Sequence, residues 1–181
     1  MSKMLENFPR TMQEMYFNKL IYMKKILIIF IIFIIFSLDR ISKIYLLDLQ
    51  MSGTDIDFYI FPFLNFYLVW NTGIGFGIAS IESNIYYHLL TLLILIINIA
   101  LIYYLTKSKG IYTYLIAVVI GGGLGNLFDR IYYYAVPDFI DIHIGDFHWF
   151  IFNVADIFIT VGIIGLILAE LFKTKKVSTD V

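Results

Sequence analysis

Cysteine is absent from the 181 residues, which excludes disulfide scaffolds, thiolate metal sites and cysteine nucleophiles together. Proline occurs three times, so loop signals are few. Charge is scarce as well: Asp, Glu, Lys and Arg make up 15% of the chain, where an ordinary globular domain carries about 25%. The formal net charge of -1 at pH 7 provides no global field for nucleic acid, and no nucleic-acid partner is expected. What fills the chain is apolar, with 60% hydrophobic and 18% aromatic residues and a mean hydropathy of +0.84. Such a composition needs a non-aqueous solvent, and a bilayer supplies one.

A membrane-spanning helix needs about 20 mostly apolar residues. Four stretches qualify, at about 26–47, 85–105, 111–128 and 150–172. Lys3, Arg10, Lys19, Lys24 and Lys25 precede the first, Lys107 and Lys109 lie between the second and third, and Lys173, Lys175 and Lys176 follow the fourth. All of these fall on one side of a four-span arrangement, and only Arg40, Lys43 and Arg130 fall toward the other. The positive-inside rule then makes both termini cytoplasmic. Lysines before the apolar run 26–38 imitate a signal peptide, but no small-x-small cleavage site follows in Ser37-Leu38-Asp39-Arg40, so this span reads as permanent. Residues 1–20 read as a disordered N-terminal extension, 21–172 as the membrane domain and 173–181 as a cytoplasmic tail. Between the first two spans, Asp57-Phe58-Tyr59-Ile60-Phe61 and Phe66-Tyr67-Leu68-Val69-Trp70 are rich in aromatic and β-branched residues and predict strands. The fold class expected is an all-α polytopic membrane protein with four transmembrane helices and a small extracytoplasmic β-sheet between helices 1 and 2. The second outer connection, 130–149, reads as a polar loop.

Ionisable groups cost about 2.5–3.5 kcal/mol at the centre of a membrane helix, so each one there is a functional candidate. The third span ends in Gly121-Gly122-Gly123-Leu124-Gly125-Asn126-Leu127-Phe128-Asp129-Arg130, and helical spacing puts Asn126, Asp129 and Arg130 on one face. Gly121 and Gly125, four apart, permit close helix packing. Asn153 and Asp156 share a face at the start of the fourth span by the same spacing. Two carboxylates at close range share a proton: the neutral one polarises a carbonyl while the charged one deprotonates a water. From the residues alone the partner of Asp156 stays open, because Asp129, Asp138, Asp141 and Asp146 all compete and each also reads as a solvated loop charge. His143 and His148 lie among Asp141 and Asp146, but their spacing fits no ligand pattern such as H-E-x-x-H, so no metal is expected. No G-x-S-x-G elbow offers a serine nucleophile. Two other classes use similar residues. A proton- or ion-coupled transporter would want polar groups through the membrane's depth, and an assembly factor would pair Asp129, Asp138 and Asp156 with Arg40, Lys43 and Arg130.

Taken together and in order, the polar strings resemble one family, the bacterial lipoprotein signal peptidases, or signal peptidase II. Asp39-Arg40-Ile41-Ser42-Lys43 resembles the family's D-x-x-[ST]-K, and Asn71-Thr72-Gly73-Ile74-Gly75-Phe76 its N-x-G-x-x-F. Gly122 to Arg130 with Val136-Pro137-Asp138-Phe139-Ile140 is similar to G-x-x-G-N-x-x-D-R…V-x-D-F-I, and Phe152-Asn153-Val154-Ala155-Asp156 to F-N-x-A-D. The resemblance covers about residues 24–172. It implies an aspartyl endopeptidase of the cell inner membrane whose catalytic pair maps to Asp138 and Asp156. It also implies that Asn126, Asp129, Arg130 and Asn153 order the pair and hold substrate, that Asp39, Lys43, Asn71 and Gly73 are structural or substrate-facing, and that the outer sheet is a substrate cradle lying on membrane lipids. The implied substrate is a prolipoprotein whose cysteine carries diacylglyceryl, cut on the N-terminal side of that cysteine, with no metal or organic cofactor. Departures are modest: Ile74 and Gly75 stand where alanines are usual, and Phe150-Ile151 where Pro-Ala is common.

Overall fold

The structure, a computed structural model, describes residues 9–73, 84–145 and 147–179. Four helices, α1 (Arg10–Met51), α2 (Asn84–Lys107), α3 (Ile111–Tyr132) and α4 (Val154–Thr179), each contain a stretch long and apolar enough to cross a membrane. Four strands, β1 (Asp57–Phe61), β2 (Leu64–Asn71), β3 (Val136–Ile144) and β4 (Phe147–Phe152), form one antiparallel sheet in the order β1-β2-β3-β4.

The chain centres on α3, which packs against α1, α2 and α4. Its glycines explain why. A Cβ on Gly121 would lie 2.8 Å from the Ile35 Cβ of α1, one on Gly123 2.6 Å from Asn98 Oδ1 of α2, and one on Gly122 2.5 Å from the Ala155 carbonyl oxygen of α4. Successive glycines thus give each neighbouring helix a notch. Lipid tails are as apolar as the helices, so such close packing is what holds membrane helices together.

Several element boundaries differ from expectation: α1 runs to Met51 and not 47, α3 to Tyr132 and not 128, α4 to Thr179 and so into the stretch read as a tail, and two helix starts are displaced. The first helix begins at Arg10 and not near residue 26, because residues 10–25 contain neither Pro nor Gly and are rich in good helix formers. Residues 10–20, read as a disordered extension, are therefore part of the first helix. At 1.5 Å per residue α1 is about 63 Å long, roughly twice the 30 Å of bilayer hydrocarbon. It stops at Ser52 and Gly53, the latter at φ 85°, a left-handed conformation that ends helices readily with glycine. The fourth helix begins at Val154 and not at 150, because Phe147–Phe152 is occupied as β4, paired to β3.

The sheet also draws on more chain than expected. Its first two strands come from between α1 and α2, as predicted, while β3 and β4 come from the connection read as a polar loop. Gly145, at φ 58°, turns the second hairpin. Ile140-Asp141-Ile142-His143-Ile144 alternates as a strand does, but with its polar members turned inward: Asp141 and His143 are buried, as is Asp138. Under the sheet, Leu46 near the end of α1 packs with Ile56 and Phe139, flanked by Phe58, Phe66, Leu68 and Val154. The end of α1 is thus the post on which the sheet rests.

Replacing Gly122 by Ala forces a methyl group against the Ala155 carbonyl of α4, and overpacking of this kind costs about 1–3 kcal/mol. At Gly165 the obstacle is the tip of Leu115, Cδ2 at 2.7 Å, a flexible group. Thermal unfolding in detergent should show Gly122→Ala melting well below native and Gly165→Ala close to it; equal melting temperatures would refute the notch.

Candidate active site

Where α1 meets α3, four charged side chains are buried together: Asp39, Arg40, Lys43 and Asp129. Asp39 and Lys43 lie one turn apart on α1, and Asp129 sits opposite on α3. Lys43 Nζ donates to Asp129 Oδ2 at 2.6 Å, to Asp39 Oδ2 at 3.0 Å and to Asn126 Oδ1 at 3.0 Å, which satisfies the ammonium's three donors. Arg40 Nη2 donates to Asp39 Oδ2 at 2.7 Å and to Asp129 Oδ2 at 2.6 Å, and Nη1 donates to Asp129 Oδ1. Two anions and two cations cancel, as a buried cluster requires. Asp39 Oδ1 also accepts the Ala155 N–H at 3.0 Å, tying α4 into the same knot.

Next to this cluster, Asp138 on β3 and Asp156 in the first turn of α4 face a cavity of about 470 Å³, lined also by Asn71, Asn126, Arg130 and Asn153. Trp149, Phe150 and Phe152 of β4 give it an aromatic wall. Asp138 Oδ2 accepts from Asn71 Nδ2 at 2.9 Å and Oδ1 from Asn153 Nδ2 at 2.6 Å. Asp156 Oδ1 accepts from Asn126 Nδ2 at 2.7 Å and Oδ2 from the Asn153 N–H at 3.1 Å. Every oxygen of the two carboxyls thus has a donor.

The amide orientations follow from what touches their oxygens. Asn126 Oδ1 accepts from Lys43, which can only donate, so the Asn126 NH2 must turn to Asp156. Asn153 Oδ1 accepts the Asp156 N–H at 3.2 Å, which turns its NH2 to Asp138. Asn71 Oδ1 accepts the Gly73 N–H at 2.9 Å, with the same result. Asn153 and Asp156 therefore form a reciprocal cap at the start of α4, each bonding the other's backbone N–H. This replaces the expectation of two side chains sharing a helix face, and it puts Asp156 in the opening turn of α4.

Burial lifts the Asp138 carboxyl first, the nearby Asp156 charge lifts it further, and the Asn71 and Asn153 bonds oppose both; the result is a pKa raised to about 7. The proton is thus retained far above the ordinary aspartate range.

Asn126, Asn153 and Asn71 touch the carboxyls, whereas Asp39, Lys43 and Asp129 act at one remove, through Asn126 and Ala155. Arg130 does not share the Asn126 direction: its Nη2 donates to the Gly73 carbonyl at 2.5 Å, while Nη1 is buried without a partner among the described residues. Among the described residues neither Asp138 nor Asp156 forms an ion pair, unlike Asp129, so the assembly-factor pairing holds for Asp129 alone. Of the other competing carboxylates, Asp141 is buried on β3 with His148 Nδ1 at 2.7 Å from its Oδ2, and Asp146 lies outside the described residues. Ile74, Gly75 and Phe76 lie outside them too. Sequence reasoning missed the cavity wall of β4 and the Ala155 N–H. The cap was readable from Asn153 and Asp156, three apart just before an apolar run.

The pattern of one family, described as signal peptidase (SPase) II, matches residues 31–172 and so takes in all four polar blocks. The chain belongs to the signal peptidase II family. It is 51% identical over 142 residues to the lipoprotein signal peptidase of Pelagibacter ubique (strain HTCC1062), covering 78% of this chain and 86% of that one. To the lipoprotein signal peptidase of Anaplasma phagocytophilum (strain HZ) it is 40% identical over 156 residues, covering 86% and 98%. Two solved bacterial membrane enzymes, determined by the in meso method at 2.3 and 1.9 Å, share the fold with TM-scores of 0.68 and 0.64. They are 30% and 32% identical; the first likeness covers 82% of this chain and 90% of that enzyme, the second 80% and 92%. This signal peptidase II family member is therefore a multi-pass membrane protease with four spanning helices and an attached sheet.

Asp129→Leu leaves Arg40 and Lys43 buried with Asp39 as their one remaining carboxylate. Removing one partner from a buried ion cluster costs about 3–5 kcal/mol, so the melting temperature in detergent should drop steeply. A variant that melts like native protein would show that the cluster is not structural.

Proposed function

We propose that the protein is an intramembrane aspartyl endopeptidase that removes the signal peptide from diacylglyceryl-modified prolipoproteins, cutting before the lipidated cysteine. The observation that carries this reading is the pair itself: Asp138 and Asp156 on one cavity, every carboxyl oxygen fixed by an oriented donor, and Asp138 holding its proton to about pH 7. Relatives that span most of this chain and carry the name lipoprotein signal peptidase support the substrate class.

Near neutral pH the two carboxyls carry one proton between them. The ionised member takes a proton from a water as that water's oxygen attacks the scissile carbonyl carbon, and the neutral member gives its proton to the carbonyl oxygen. The tetrahedral intermediate then collapses: the C–N bond breaks, the amine leaves with a proton from one carboxyl, and the other recovers its own from the gem-diol. Net, one water is consumed and the proton on the pair is restored. No covalent enzyme intermediate forms, and the scheme calls for no metal or organic cofactor. Arg130, which also lines the cavity, contributes its positive charge to that wall. The topology that fits has both termini in the cytoplasm, with the cavity at the extracytoplasmic end of the helices, level with a lipid-anchored scissile bond.

Cleavage of a diacylglyceryl prolipoprotein by the purified chain should fall by on the order of 10²–10⁴-fold in Asp138→Asn and in Asp156→Asn, with cooperative thermal unfolding retained. Full turnover by either folded variant, or no cleavage by the native chain, would overturn the reading.

The pH dependence has a definite sign. As pH rises through about 7 the pair loses its shared proton, both carboxyls become charged, and kcat/KM should decline. Asn71→Ala removes a donor that favours the ionised form of Asp138, so the proton is held more tightly and the alkaline limb should move to higher pH. A pH–rate profile with an unmoved or lowered limb would contradict the assignment.

A further inference from the structure

At the end of the bundle remote from the aspartates, α1 packs on α3 and α4 and scarcely meets α2. This leaves a cleft of about 710 Å³ between the first part of α1, the α2–α3 turn and the start of α3. Cationic and apolar side chains line it together with several hydroxyls. Lys24 and Lys25 of α1 and Lys109 of the turn supply three ammonium groups, and Ile28, Ile29 and Leu105 supply an apolar wall. Lys24 and Ile28 are one helical turn apart, so cations and wall follow each other along the membrane normal. Among the described residues no carboxylate forms an ion pair with any of these three lysines, although Lys43 and Lys173 both have acidic neighbours. The cleft also faces the amino end of α3, where Gly110 offers no side-chain cap.

We infer that this cleft is a binding site for an anionic phospholipid, with the phosphate held by Lys24, Lys25 and Lys109 and an acyl chain laid on Ile28, Ile29 and Leu105. Charge and depth both select this occupant. A zwitterionic headgroup would bring its own cation to three unneutralised lysines, and a small free anion would leave the apolar wall uncovered. A phospholipid with one net negative charge satisfies both parts at once, because its phosphate sits at the interface and its tails run into the hydrocarbon. The inference stands on the membrane span and not on the peptidase reading.

The test uses the full chain in a non-ionic detergent, titrated with short-chain phosphatidylglycerol, short-chain phosphatidylcholine or inorganic phosphate, and read by melting temperature and by lipid retained in native mass spectrometry. Phosphatidylglycerol should raise the melting temperature and stay bound; the other two should not. Neutralising the cleft with K24Q, K25Q and K109Q together should weaken that response roughly 100-fold in lipid concentration. Neutralising Lys19, Lys107 and Lys173 to Gln removes the same charge elsewhere and should leave it unchanged. Ile28→Trp fills the wall, keeps all three lysines and should abolish retention, which covers failure of the triple variant to fold. Equal responses in the two triple variants would mean a diffuse basic surface and would overturn the site, as would inorganic phosphate acting as well as the lipid.

Discussion

Four charges packed into the joint between α1 and α3 govern the rest of this molecule. Asp39, Arg40, Lys43 and Asp129 are buried so thoroughly that neither cation is tolerable without both anions, and the helices must stay in register for the cluster to close. The glycines of α3 make the approach possible, and Gly125 shows how tightly: a Cβ there would sit 2.6 Å from Asp39 Oδ2. Packing and electrostatics therefore specify one arrangement between them. The cluster also reaches beyond the helices that build it, through Ala155 to α4 and through Asn126 to the cavity.

That reach turns a structural ion cluster into a device for aiming hydrogen bonds. An asparagine amide can sit either way round, and nothing in its shape decides which. Here the choice is made by a neighbour that has only protons to give: an ammonium for Asn126, and a backbone N–H for Asn153 and for Asn71. Once the oxygen is claimed, the NH2 is committed to a carboxyl. Such fixed dipoles need no reorganisation as charge shifts between two carboxyls, which suits chemistry that moves one proton back and forth.

The helices were legible because mostly apolar runs near 20 residues, with their few charges toward one end, match the thickness of a bilayer, and the four polar blocks were legible as an ordered set. The strand Val136–Ile144 was not: Ile140-Asp141-Ile142-His143-Ile144 does alternate, but among so many polar groups it read as a loop, and its polar members, Asp141 and His143, are the buried ones for a reason that only the folded neighbours reveal. The start of α1 escaped because a hydropathy reading stops where lysines begin, while a helix stops only where its backbone is broken, here at Pro9. The split of polar residues into those touching the carboxyls and those acting behind them was also hidden. Asn126 and Asp129 share a helix face, yet one bonds Asp156 and the other closes an ion cluster, a difference set by residues on α1 and α4.

The proposed pair is divided between two parts of the fold. Asp138 belongs to the sheet, which rests on the far end of α1, whereas Asp156 belongs to the helix bundle; Asn153, at the seam, touches both. Lifting the sheet from the bundle would separate the carboxyls and break that seam before disturbing any transmembrane packing. If that pair does the cutting, hydrolytic competence is coupled to the seating of a surface element, a safety catch for an enzyme that lives among the peptide bonds of every other protein in its membrane.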